Sequence, residues 1–222
     1  MKRLIIIVEG DTELEFVKTI LKPYLNQNGI SYVSASKIKH SKGGLNKYAH
    51  LTTDIYNCIY QSDVIVTTLI DYYGLPNDFP KYEEIKSSSI SAIQKVEKLE
   101  NAIKENIEIN KNIQTNNFIP YIQLHEFEAL IFSNTDTIKN LYKSNEFNFN
   151  GLDKIISQYP NPEEINDSVN TAPSKRLISL YKGYDKVLDG NLILREIGIK
   201  TILNKCNRFN SWVNKIIEEF NK

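Results

Sequence analysis

Apolar positions along this chain alternate between two patterns. Residues 3–8 form an unbroken β-branched and aliphatic run, which predicts a strand buried on both faces, as in a parallel sheet covered by helices. The run stops at Glu9-Gly10. Across residues 12–26, Leu14, Val17, Leu21 and Leu25 then recur at roughly helical spacing until Asn28-Gly29 closes the segment. The pattern repeats with a strand at 30–38, a glycine-containing loop at 41–44, a helix at 47–60 and a third buried strand at 64–70. That strand ends in Asp71-Tyr72-Tyr73-Gly74-Leu75-Pro76, where Gly and Pro break regular structure. Residues 89–109 read as a charged amphipathic helix. Residues 117–124 read as a fourth strand whose Pro120 places it at an edge or makes it a strand start.

Strands alternating with helices predict an α/β fold: a mostly parallel sheet of about four strands, flanked by helices and joined by right-handed crossovers. From His125 onward the pattern is helical and broken by Pro and Gly, with no further strong strand. The expected organisation is an α/β core over residues 1–132 and a helical C-terminal extension over 133–222 packed on that core. A chain of 222 residues has room for one sizeable core of this kind.

Charge narrows the picture. The 27 basic and 27 acidic side chains cancel, so a polyanion must be met by local patches or through a partner. Cys58 and Cys206 are far apart, with no neighbouring Cys or His at metal-ligand spacing, which points away from zinc and disulfides and toward a reducing cytoplasm. The apolar opening is too short to span a bilayer and lacks the features of a signal peptide, so the mature chain is expected to begin near Met1, with no membrane association.

Ligands of an open parallel sheet gather at the carboxyl ends of its strands. Glu9 follows the first strand, Asp71 the third, and Glu126 and Glu128 the fourth. Each alone is an ordinary polar strand end. Together they would repel one another unless a cation or proton neutralised them. Glu13, four residues after Glu9, can face the same cleft, although helix-dipole stabilisation also accounts for it. Oxygen-only ligands suit Mg²⁺ or Mn²⁺, ions that commonly engage phosphates.

The run Ile7-Val8-Glu9-Gly10-Asp11-Thr12-Glu13, with a later strand ending at Asp71, resembles the Toprim domain of topoisomerases, primases and the OLD-type nucleases. Further blocks are Lys42-Gly43-Gly44-Leu45, Val66 to Pro76, Leu124-His125-Glu126-Phe127-Glu128-Ala129-Leu130, Pro173-Ser174-Lys175-Arg176 and Gly183 to Gly190, continuing to Trp212. With these the chain resembles small bacterial Toprim-like proteins often encoded beside AAA or ABC-type ATPases in phage-defence loci. The resemblance implies a Toprim-like, Rossmann-like core and a Mg²⁺- or Mn²⁺-dependent endonuclease. Glu9 would be acid/base or metal ligand, Asp71 and Glu13 would be ligands, and Glu126 or Glu128 would complete the set. One departure is plain: Tyr73 stands where the Toprim pattern has a second Asp.

Other residues fit this reading in two ways each. Lys175 and Arg176 can meet phosphate or form a solvated surface pair, and the resemblance favours Lys175 as a catalytic cation. Lys42 with Gly43-Gly44 can cradle phosphate or simply turn the chain. His125 can shuttle a proton or cap a junction, Tyr73 can stack on a base or pack a wall, and the Trp212 stripe is core or a partner's docking face. The expected function is a nuclease subunit acting on nucleic acid, DNA ahead of RNA, with an ATPase partner, and a homo-oligomer is compatible with it. The alternatives are a regulatory or scaffold subunit with a weakened metal site, and a phosphatase or nucleotidyl transferase on small substrates.

Overall fold

The structure, a computed structural model, describes residues 1–39, 44–166 and 169–222. Its centre is β1 (Arg3–Val8), which pairs in parallel with β2 (Val33–Lys37) on one side and β3 (Val64–Asp71) on the other. The far edge of β3 pairs in parallel with β4 (Phe118–Ile119) and then β5 (Ile122–Gln123). The order β2-β1-β3-β4, with β5 beside the end of β3, is the mostly parallel α/β sheet that the alternating pattern predicts.

Both faces of the sheet are covered, which is why its central strands are apolar throughout. Leu4, Ile6, Val8, Ile65 and Leu69 face the helical layer that follows β1: α1 (Asp11–Phe16), a π-helical segment Val17–Leu21 and α2 (Lys22–Gln27). Pro23 lacks an amide hydrogen and its ring crowds the preceding turn, which accounts for the widened segment where the sequence predicts one uniform helix. Ile7, Val64, Val66 and Ile70 face the other way, onto α3 (Tyr48–Ile59), α4 (Tyr82–Ser87) and α5 (Ala92–Lys111). Ser91 caps α5, its hydroxyl accepting the Gln94 N–H at 3.2 Å, so this helix begins at Ala92, three residues after its predicted start at 89.

The second and fourth strands are shorter than expected. Residues Ser31 and Tyr32 are exposed, and β2 begins only at Val33. The predicted fourth strand is split at Pro120 into β4 and β5. Threonine hydroxyls bridge the break: Thr67 donates to the Ile119 carbonyl, while Thr68 accepts from Tyr121 N and donates to Tyr121 O, both at 2.9 Å. Buried backbone groups that the ladder leaves unpaired are thereby satisfied.

After a 3₁₀ segment, Phe127–Ser133, the chain is helical: α6 (Thr135–Leu141), α7 (Phe149–Gln158), α8 (Pro173–Leu180), α9 (Leu188–Ile197), α10 (Ile199–Lys205) and α11 (Asn207–Phe220). These helices share one core with β1 and α1 rather than forming a core of their own. Trp212 belongs to that core, stacked on Tyr121 at 4.5 Å and donating its indole N–H to Thr67 Oγ1 at 2.8 Å. Lys2 ties the ends of the chain together by donating to the Glu219 and Phe220 carbonyls. Among the described residues no helix is long and apolar enough to cross a membrane, and both cysteines are free thiols.

Candidate functional site

Glu9 leaves β1 at its carboxyl end and folds into a cradle of backbone. Its Oε2 accepts the Asp71 N–H at 3.0 Å and its Oε1 the Leu45 N–H at 3.4 Å. Two glycines make room for it. A Cβ on Gly74 would lie 2.5 Å from Oε1, and one on Gly44, which has φ +92°, would lie 3.4 Å from it. Burial raises the Glu9 carboxyl above its ordinary value, and the two amides only partly offset this. Gly74→Ala is therefore expected to push Glu9 from its cradle and lower the unfolding free energy by about 1–3 kcal/mol, the range for an overpacked buried site. Chemical denaturation measures it, and an unchanged midpoint would mean that Glu9 is not held as described.

Glu13 and Asp71 stand beside it. Glu13 reaches back from the first turn of α1 to accept the Gly10 N–H at 2.9 Å, so its helix-end role is real. That role coexists with burial, which pushes its carboxyl up to about 7, with Glu9 and Glu128 adding like-charge repulsion. Asp71 ends β3. Its Oδ1 is buried and, among the described residues, has no hydrogen-bond partner. Burial and then Glu13, Glu9, Glu128 and Glu126 hold this carboxyl well above its ordinary range.

The remaining acids arrive through an unusual corner. His125 follows β5 with φ +65°, a left-handed conformation that costs a non-glycine residue energy. It turns residues 125–128 across the sheet edge, with its carbonyl accepting the Tyr73 N–H at 3.2 Å. Glu126 Oε2 accepts the Ser174 N–H at 2.9 Å from the first turn of α8. Glu128 is buried and its Oε1 meets Lys186 Nζ at 2.8 Å. Burial opposes the Lys186 charge, but Glu128, with Glu126 and Asp71 behind it, holds the ammonium above its ordinary pKa.

All five sequence-identified acids, Glu9, Glu13, Asp71, Glu126 and Glu128, are thus brought to one sheet edge, close enough to perturb one another. The basic residues are distributed differently. Lys175 is exposed on α8, and no described contact joins it to the acids. Arg176 donates to the Thr171 carbonyl at 2.6 Å and lies over the Tyr159 ring, which binds it into the α8 approach. Lys42 and Gly43 lie outside the described residues. Among the described residues the lysine that reaches the carboxylates is Lys186, which lies inside the Gly183 to Gly190 block but carries no periodic or spacing signal of its own.

Tyr73 packs against His125, with ring centroids 5.4 Å apart, while Tyr72 is buried in the core. Asn166 links the pair, donating from Nδ2 to the Tyr73 hydroxyl and lying 3.3 Å from His125 Nδ1. Burial lowers His125 to about 4, so the ring is neutral at physiological pH. Asn166 has no counterpart in the sequence reading, since only the folded chain brings it to His125.

Among the described residues, no three Asp, Glu, His or Cys side chains are already gathered at the spacing of a single ion's ligand set. Glu9, Glu13, Glu126 and Glu128 each hold an N–H or ammonium donor, so a cation would use the carboxylate lone pairs left over, with Asp71 Oδ1 foremost. The donor set is all oxygen and fits a hard divalent ion. A profile described as a domain of unknown function (DUF4276) matches residues 8–217, and no curated protein or solved structure matches the chain.

Proposed function

The chain belongs to the DUF4276 family, and for this member we propose a Mg²⁺- or Mn²⁺-dependent phosphodiester hydrolase, a nuclease subunit working at the carboxyl edge of its parallel sheet. The observation that carries the proposal is Asp71 Oδ1, a buried acceptor without a partner, surrounded by the charges of four glutamates. Such a group is costly to bury unless something positive completes it. The likeness of the Glu9 and Asp71 blocks to Toprim domains supports the same reading.

A divalent ion held by Asp71 with Glu9, Glu13 and Glu126 or Glu128 would polarise a phosphoryl oxygen and lower the pKa of a bound water. The chain's own residues supply orientation. Two backbone amides fix Glu9 beside Asp71, and the Gly10 amide fixes Glu13. Neutral His125, its Nδ1 accepting from Asn166, carries its proton on Nε2 and can act from there as a hydrogen-bond donor. Lys175 stands at the exposed start of α8, one residue from the Ser174 amide that meets Glu126, where it can receive a substrate phosphate. The neutral net charge makes tight autonomous binding of DNA unfavourable and agrees with delivery by a partner, for which the sequence resemblance suggests an ATPase.

A second reading has its own support. Tyr73 replaces a ligand of the Toprim pattern, its hydroxyl is engaged by Asn166, and both Glu9 oxygens already accept amides. A scaffold subunit that kept the fold and lost the metal would look like this. Incubation with supercoiled plasmid and single-stranded DNA, in Mn²⁺ and in EDTA, separates the two. Metal-dependent cutting is expected. No cutting, together with no saturable Mn²⁺ binding by calorimetry, would establish the scaffold reading instead.

A further inference from the structure

The five carboxylates do not share their counter-charge evenly. On one side Glu128 is paired with Lys186 at 2.8 Å, and the same ammonium acts on Glu126 and Asp71. On the other side Glu9 and Glu13 accept backbone amides and form no ion pair, with Lys186 acting on Glu9 only from a distance, and among the described residues Asp71 Oδ1 has no partner. A cation is therefore already in place at one end of the cluster and wanting at the other.

Lys186 is a half-exposed lysine whose ammonium reaches inward to a buried carboxylate. It sits in a turn pinned from both sides. Asp185 Oδ1 accepts the Val187 and Leu188 amides at 2.9 and 2.7 Å, and Asp189 Oδ2 accepts the Asp185 amide at 2.7 Å. Tyr142 in turn donates to Asp189 Oδ1 at 3.2 Å. These bonds fix the start of α9 and with it the point from which the Lys186 side chain leaves the backbone. Removing the ammonium would strand Glu128, a buried carboxylate, without a partner, so the pair resists separation.

We propose that Lys186 permanently fills one of two cation positions in this cluster, so that the site admits a single divalent ion, on the Asp71 side. The inference rests on the metal reading above and specifies its stoichiometry. It also assigns the lysine a structural charge role distinct from that of any group at the rim. A divalent ion competing for the Glu128 side would have to break a salt bridge whose lysine is held by its own turn.

Counting bound Mn²⁺ tests this, by calorimetry together with the electron paramagnetic resonance signal of the free ion. The wild-type chain is expected to bind one Mn²⁺. Lys186→Met is expected to bind two, and Lys186→Arg to stay at one. Lys186→Gln, which keeps a donor toward Glu128, serves as the neutral variant should Lys186→Met not fold, with the same expectation of two. Two ions on the wild type, or one on a folded neutral variant, would overturn the inference while leaving the metal reading intact. No saturable binding to any of these proteins would overturn both.

Discussion

Asp71→Asn is expected to abolish Mn²⁺-dependent cleavage and, in the same protein, to raise the melting temperature measured without metal. The first effect follows from losing the anionic oxygen around which the proposed ion would bind. Metal-derived transition-state stabilisation amounts to several kcal/mol, and about 4 kcal/mol corresponds to about a 10³-fold loss of rate. The second effect has the opposite sign because the wild-type carboxylate is buried among four glutamates with an unpaired Oδ1. An amide of the same shape removes one like charge and can donate to a neighbouring carboxylate. A gain of about 1 kcal/mol would appear as about 2–4 °C for a chain of this size. Plasmid nicking and a thermal scan in EDTA check the two halves. A variant that cuts at the wild-type rate would remove Asp71 from the chemistry, whatever its stability.

The second large effect is a pH dependence that metal should cancel. Glu13 titrates near 7 in the folded chain against an ordinary 4.5, so between those values the folded state binds the proton more tightly. Its contribution to stability is complete below pH 4.5 and is lost as the pH rises through about 7. At 1.36 kcal/mol per pH unit that gap corresponds to about 3 kcal/mol. Glu9 and Asp71 are shifted in the same direction and reinforce the decline. Urea titrations in EDTA across pH 4.5 to 8 should show it, and Glu13→Gln should flatten it. Saturating Mn²⁺, which binds the ionised carboxylates, should stabilise the protein more at pH 8 than at pH 6. Equal stabilisation at both values would argue that no proton leaves the cluster when the ion binds.

The sheet was legible in the sequence because its central strands are buried on both faces and so appear as unbroken apolar runs; β1 coincides with the predicted run. The acids were legible for a related reason, since a residue at the end of a buried parallel strand has one place to go. Glu9 and Asp71 follow directly from strand ends, and their adjacency from the β1–β3 pairing. Local patterns did not reach what depends on contacts between distant segments. Lys186 meets Glu128 only because α9 packs against the 3₁₀ segment, and Asn166 meets His125 only after the helical half has folded back. Pro120 marks an edge strand or a strand start in the sequence, but not the split into two strands, because the threonines that bridge the break come from a strand more than fifty residues earlier. The π-helical segment before Pro23 escaped a spacing argument because five residues cannot distinguish a widened turn from a regular one.

The core that joins Leu4 to Ile216 also bears on timing during synthesis. Residues 1–132 leave the ribosome carrying every carboxylate of the cluster, while the Ser174 amide and the Lys186 ammonium that hold Glu126 and Glu128 are still to be made. A nascent chain thus exposes an edge of mutually repelling acids that no later segment has yet steadied. On this topology the site matures last, and a growing polypeptide of the proposed nuclease stays idle until its own C-terminal helices have docked.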